Sequence, residues 1–131
     1  MKPAILLFSL LASPVFAASP AALIFDERVA LAKAAEEDER FHPYPAQMVR
    51  EAGSHFARTI RKCKPLSKQD RQPFVLVAEI DPDGIARDVV VRPAHAGARC
   101  FAAGFASNRY LPPPEYPDRN SFPVMVRIGG Q

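Results

Sequence analysis

The sequence predicts an α+β domain of helix, strand, strand, helix, strand, with a further helix at the N-terminus. Its three-stranded antiparallel sheet would carry helices packed on one face. Three observations carry this reading. Two β-rich runs within Phe74 to Val91 flank the turn Asp81-Pro82-Asp83-Gly84. Helix-spaced apolar residues stand on either side of that hairpin, one set leading to Cys63 and the other around Cys100. A last apolar run spans Pro123 to Ile128. At 131 residues, 48% of them hydrophobic, the chain suits one domain with a modest core. Its 14 prolines imply much irregular chain, and a net charge of +3 does not by itself select nucleic acid or a membrane as partner.

The first element reads as a targeting segment. Met1-Lys2 is a short positive start, Pro3 to Phe16 is apolar and uncharged, and Val15-Phe16-Ala17 offers the small residues a signal peptidase reads. Residues 1–17 are therefore expected to be removed as a signal peptide. The run is roughly 14 residues, short of the ~20 a membrane-spanning helix needs. No later segment is long and apolar enough to span a bilayer. The mature chain is thus expected to be periplasmic or secreted and free of integral membrane segments.

Residues 18–45 form an N-terminal helix and a hinge in this reading. Ala21 to Arg40 is Ala-rich with Phe25, Val29, Ala32 and Ala35 on one stripe. Glu36-Glu37-Asp38-Glu39 lies at the unfavourable end of the helix dipole, so fraying is expected there. His42-Pro43-Tyr44-Pro45 reads as the hinge, because each proline lacks an N–H and restricts the residue before it.

Residues 46–131 form the main α+β domain. A helix from Ala46 to Cys63 aligns Val49, Ala52, Phe56, Ile60 and Cys63 toward the core, which leaves Arg50, Arg58, Arg61 and Lys62 mostly elsewhere on its surface. Lys64-Pro65 stops it. In the hairpin, Pro82 suits a type I turn and Gly84 the positive φ that follows, giving a three-residue loop with a bulge. Phe74, Leu76, Ala78 and Ile80 share one face of the first strand; Ile85, Val89 and Val91 share one face of the second. Gly97 to Tyr110 is the next helix, with Phe101 and Phe105 one turn apart. A proline-rich loop from Leu111 precedes the last strand.

Two cysteines, Cys63 and Cys100, in an exported chain imply one disulfide. Closing a loop of about 38 residues contributes ~3–4 kcal/mol in the chain-entropy treatment. A thiol active site would instead need one cysteine free beside a base, and His95 is the nearest in sequence. A zinc site from Cys63, Cys100, His95 and His55 has suitable atoms but no closely spaced ligand pair. The sequence holds no nucleophile elbow, phosphate loop or metalloprotease motif, and Asp81 and Asp83 are turn residues. Nothing in it calls for a cofactor, a metal or nucleic acid, and no enzyme is expected. Arg50 to Arg71 holds seven Lys/Arg against two Asp/Glu, whereas Asp26 to Arg40 holds six acids against three bases. These are two solvated faces that attract each other, or the basic helix meets an acidic partner such as a protein, phospholipid headgroups or a polyanion.

The stretch Phe74 to Ile128 resembles the C-terminal domain shared by the TonB and TolA periplasmic proteins. The likeness rests on a strand leading into Asp81-Pro82-Asp83-Gly84-Ile85-Ala86-Arg87-Asp88-Val89-Val90-Val91. A short helix with Cys100, the loop Tyr110-Leu111-Pro112-Pro113-Pro114 and the final strand follow. Tyr44-Pro45 before a basic helix, and one cysteine in each helix flanking the hairpin, are similar to members with an intradomain disulfide. TonB-like transducers also carry an uncleaved membrane helix and a long periplasmic span, and this sequence shows neither. The resemblance therefore implies the fold and a habit of binding envelope proteins by strand addition at a sheet edge, and not force transduction. On this reading Val124, Val126 and Ile128 of the last strand and Arg50, Arg58, Arg61 and Lys62 of the basic helix meet the partner. The competing function is a periplasmic inhibitor or immunity-type protein that blocks a toxin or hydrolase.

Overall fold

The computed structural model describes residues 20–63 and 71–129; the expected signal peptide, 1–17, lies outside them. Three helices and three strands follow in the order α1 (Pro20–Glu37), α2 (Pro43–Lys62), β1 (Phe74–Ile80), β2 (Ala86–Arg92), α3 (Ala96–Ser107) and β3 (Phe122–Ile128). The strands form one antiparallel sheet ordered β2-β1-β3. The α+β class and the antiparallel sheet agree with the sequence reading.

The hairpin forms as its turn residues require. Gly84 N–H donates to the Asp81 carbonyl, Asp81 N–H donates to Ile85, and Gly84 takes φ 82°. The Asp81 carboxylate accepts from the N–H groups of Ile85 and Asp83 and from Arg87. The Ile85 N–H above all holds that carboxyl below its ordinary range. Beyond the turn the strand departs from expectation. Pairing shifts from Val77 opposite Val90 to Glu79 opposite Arg87, so β2 carries one extra residue, and Asp88 takes φ 52°. Ala86, Val89 and Val91 consequently share the core face, while Ile85 is 38% exposed and bridges to Arg109.

β1 is the central strand and is buried on nearly its whole length. Phe74, Leu76, Ala78 and Ile80 enter the main core with Phe56, Phe101, Phe105 and Phe122, the ring pairs spaced 5.7–5.8 Å where α2 meets α3. The other face of the sheet carries α1: Ala32 packs on Val77 and Met125, with Phe25, Val29, Val75 and Val90 around them. α2 and α3 thus share one face of the sheet, as expected, and the N-terminal helix takes the other. Since β1 is apolar on both sides, each side needs a helical layer.

Two helix boundaries and the buried face of α2 also differ from expectation. Pro43, Tyr44 and Pro45 form the first turn of α2 and are not a hinge; there the missing N–H groups cost nothing, because first-turn donors have no intrahelical acceptor. The N-terminal helix is thus packed on the same sheet as the rest. The buried stripe of α2 is Tyr44, Met48, Ala52, Phe56 and Thr59; Val49 and Ile60 are 42% and 46% exposed. α3 ends at Ser107 because the chain beyond it bonds to the hairpin, with Tyr110 N–H donating to the Gly84 carbonyl.

Candidate interaction surface

Outside α2, nearly every arginine in the described residues is engaged. Arg28 donates to the Asp88 carbonyl and lies near Glu79, Arg40 pairs with Asp38, Arg87 with Asp81, and Arg127 with Glu36. Arg119 and Ser121 both donate to buried Glu79, which fastens the proline-rich loop to the sheet. Arg92 lies over the Phe25 ring, Arg99 donates to the Ala94 carbonyl, and Arg109 Nε donates to the Asp83 carbonyl.

The α2 cations differ. Arg50, Arg58, Arg61 and Lys62 are all exposed, and among the described residues none of their side chains makes an ion pair or hydrogen bond. Helical periodicity explains the placement. With Tyr44, Met48, Ala52, Phe56 and Thr59 turned inward, Arg50 and Arg61 fall at the outward pole, Arg58 and Lys62 on one flank, and Val49 and Ile60 on the other. Arg61 and Lys62 also sit in the last turn, where cations favour the helix dipole. The acidic α1 packs on the opposite side of the sheet, so the basic and acidic helices do not neutralise each other within the chain.

A groove of about 450 Å³ opens beside Arg58, between α2 and the chain after α3. Its walls are tied in place. His55 Nε2–H donates to the Gly104 carbonyl, the Tyr44 hydroxyl donates to Leu111, and the Tyr110 hydroxyl donates to Phe105. Burial raises both phenols above their ordinary value. A Cβ on Gly84 would run into the Tyr110 carbonyl, so only glycine lets the hairpin lie against this wall. Sequence reading missed Arg109 and this groove; the hairpin and the chain after α3 are far apart in sequence, and no periodic pattern joins them.

Cys63 and Cys100 form a disulfide with a Cα–Cα distance of 5.6 Å. It staples the end of α2 to α3 at the surface: Cys100 is exposed and Cys63 half-buried, so Cys63 is not aimed at the core as its spacing suggested. The bridge and His95 leave no thiol–base pair. His95 caps α3, its Nδ1 accepting from Ala98 N–H and its Nε2–H donating to the Gln72 carbonyl. With both cysteines bonded to each other and His55 committed to Gly104, the candidate zinc set does not assemble. On β3, Val124 and Val126 are buried in the core and Ile128 packs against it. What β3 has left for a partner is the backbone of its outer side, where no further strand pairs among the described residues. No helix among the described residues is long and apolar enough to cross a membrane. No protein-family model, curated protein or solved structure matches the chain.

Proposed function

We propose that this chain is an exported protein-binding module of the cell envelope, resembling the TonB/TolA C-terminal domain, which docks an acidic partner protein on the outer face of α2 and adds a partner strand to β3. The observation that carries the reading is the set of α2 cations unpaired among the described residues, where the other arginines are almost all engaged. Unpaired surface cations are free to steer association and meet carboxylates. Val49 and Ile60, exposed beside them, supply apolar contact. Export is supported by the apolar leader before Ala18 and by the disulfide, a bond that persists in oxidising compartments.

The test is site-specific crosslinking in intact producing cells, with a photo-reactive residue at Ser54 between Arg50 and Arg61. One discrete adduct is expected, together with its loss in Arg50→Glu/Arg61→Glu. An adduct indifferent to that charge reversal, or none, refutes the docking face. Intact mass of the purified protein should begin at Ala18; a retained leader refutes export with cleavage.

A further inference from the structure

The groove beside Arg58 combines charge, shape and rigidity. Arg58 lines it from α2 with a guanidinium that has no partner among the described residues, and Arg109 lines it from the chain after α3. Arg109 is held by its backbone bridge to Ile85 and by its Nε–H bond to the Asp83 carbonyl at 3.2 Å, so its terminal nitrogens remain to donate. Ser54, His55 and Asn108 add polar atoms, while Met48, Ala52, Leu111 and Pro112 supply apolar lining. Glu51 is the one acid of the lining, and its carboxylate accepts from Gln47.

We propose that this groove is a carboxylate-binding pocket in which Arg58 and Arg109 jointly hold a single carboxylate while its apolar neighbours lie along Met48 and Leu111. Two planar donor groups match the paired oxygens of a carboxylate. Two arginines against Glu51 leave one net positive charge, which a monoanionic carboxylate neutralises. The walls are already fixed by the His55, Tyr44 and Tyr110 bonds, so little ordering is lost on binding. The inference deepens the protein-binding reading and rests on it only for where the carboxylate comes from: an Asp or Glu side chain of the partner, or the end of its chain.

The experiment titrates the purified, oxidised protein with two synthetic peptides, followed by amide NMR shifts. One alternates Asp with Leu and has both ends blocked; the other is a Ser-Leu peptide with a free C-terminal carboxylate. Shifts confined to 48–58 and 108–112 with either peptide support the pocket, and the peptide that binds more tightly identifies the source. Arg58→Gln and Arg109→Gln are each expected to weaken binding about tenfold, as loss of a charge-assisted hydrogen bond does. Lys33→Gln, on α1 across the sheet from the groove, should weaken it less than about twofold, the size of a screened surface charge effect. Shifts spread along the whole outer face of α2, with all three variants equal, overturn the pocket in favour of diffuse charge attraction. Absence of shifts with both peptides, while the Ser54 adduct is still formed in cells, overturns this inference alone.

Discussion

Gly104 lies where α3 packs tightly on α2, and replacing it by alanine should destabilise the protein despite improving helix propensity. An ideal Cβ at Gly104 falls inside van der Waals contact of Thr59 Cγ2, with Thr59 Oγ1 at 3.0 Å and its Cβ at 3.3 Å. Thr59 cannot easily give way. It is 6% exposed, its χ1 is stiff because the side chain branches at Cβ, and its hydroxyl donates to the His55 carbonyl at 2.9 Å. Overpacking a tight site costs about 1–3 kcal/mol, and the upper half applies where the clash meets a stiff side chain. Alanine in place of glycine in a helix returns about 1 kcal/mol. The net expectation is a loss of about 1–2 kcal/mol, or ~5–10 °C in Tm for a domain of this size. The measurement is urea unfolding by far-ultraviolet circular dichroism, suitable for a chain without tryptophan. The decisive arm is a double-mutant cycle. In a Thr59→Ala background the clash is gone, so Gly104→Ala should become neutral or stabilise by up to about 1 kcal/mol. If Gly104→Ala costs the same in both backgrounds, the close approach of α2 and α3 is not what requires glycine. The stake extends to the groove, because the Gly104 carbonyl holds His55.

Further expectations concern the bridge and the buried phenols. Cys63→Ser/Cys100→Ser frees a loop of sequence separation 37, and should lower stability by about 4 kcal/mol in the chain-entropy treatment, read by urea unfolding. Equal midpoints for the variant and the oxidised parent would refute a stabilising bridge. Tyr44 and Tyr110 are buried, which raises their folded-state pKa above the unfolded value near ~10. Their contribution is therefore complete below that unfolded value and is lost as pH rises toward the folded one, because phenolate forms more readily in the unfolded chain. An alkaline titration should show these two phenolate signals appearing only with the loss of circular dichroism. Ionisation of either with the fold intact would refute their burial.

The legibility of each element follows the range of the interaction that makes it. Asp81-Pro82-Asp83-Gly84 encodes its turn within the four residues themselves, so the hairpin was readable. The two cysteines of an expected exported chain were readable as a pair, and α1 was readable through its stripe from Phe25 to Ala35. The rotation of α2 was not. Met48 and Val49 are adjacent and both apolar, and so are Thr59 and Ile60 in effect, since Thr59 satisfies its hydroxyl on its own helix. Only the aromatic cluster of Tyr44, Phe41, Tyr116 and Phe122 selects Tyr44 and Met48 to face inward. That selection leaves Val49, Ile60 and the four cations outside.

For the candidate surface, the sequence by itself determined that a helix rich in arginine precedes a hairpin and is tied to a later helix by a disulfide. Spacing along one chain is enough for that. Tertiary structure decided which flank of α2 is open, that α1 covers the far side of the sheet, and that Arg58 and Arg109 line one groove. Those outcomes depend on contacts between segments widely separated in sequence. The positive φ of Gly84 brings the chain at Tyr110 against the hairpin, and the missing side chain of Gly104 lets α3 close on Thr59. Each glycine is ordinary in the sequence, and its meaning comes from the atom that lies where a Cβ would have been.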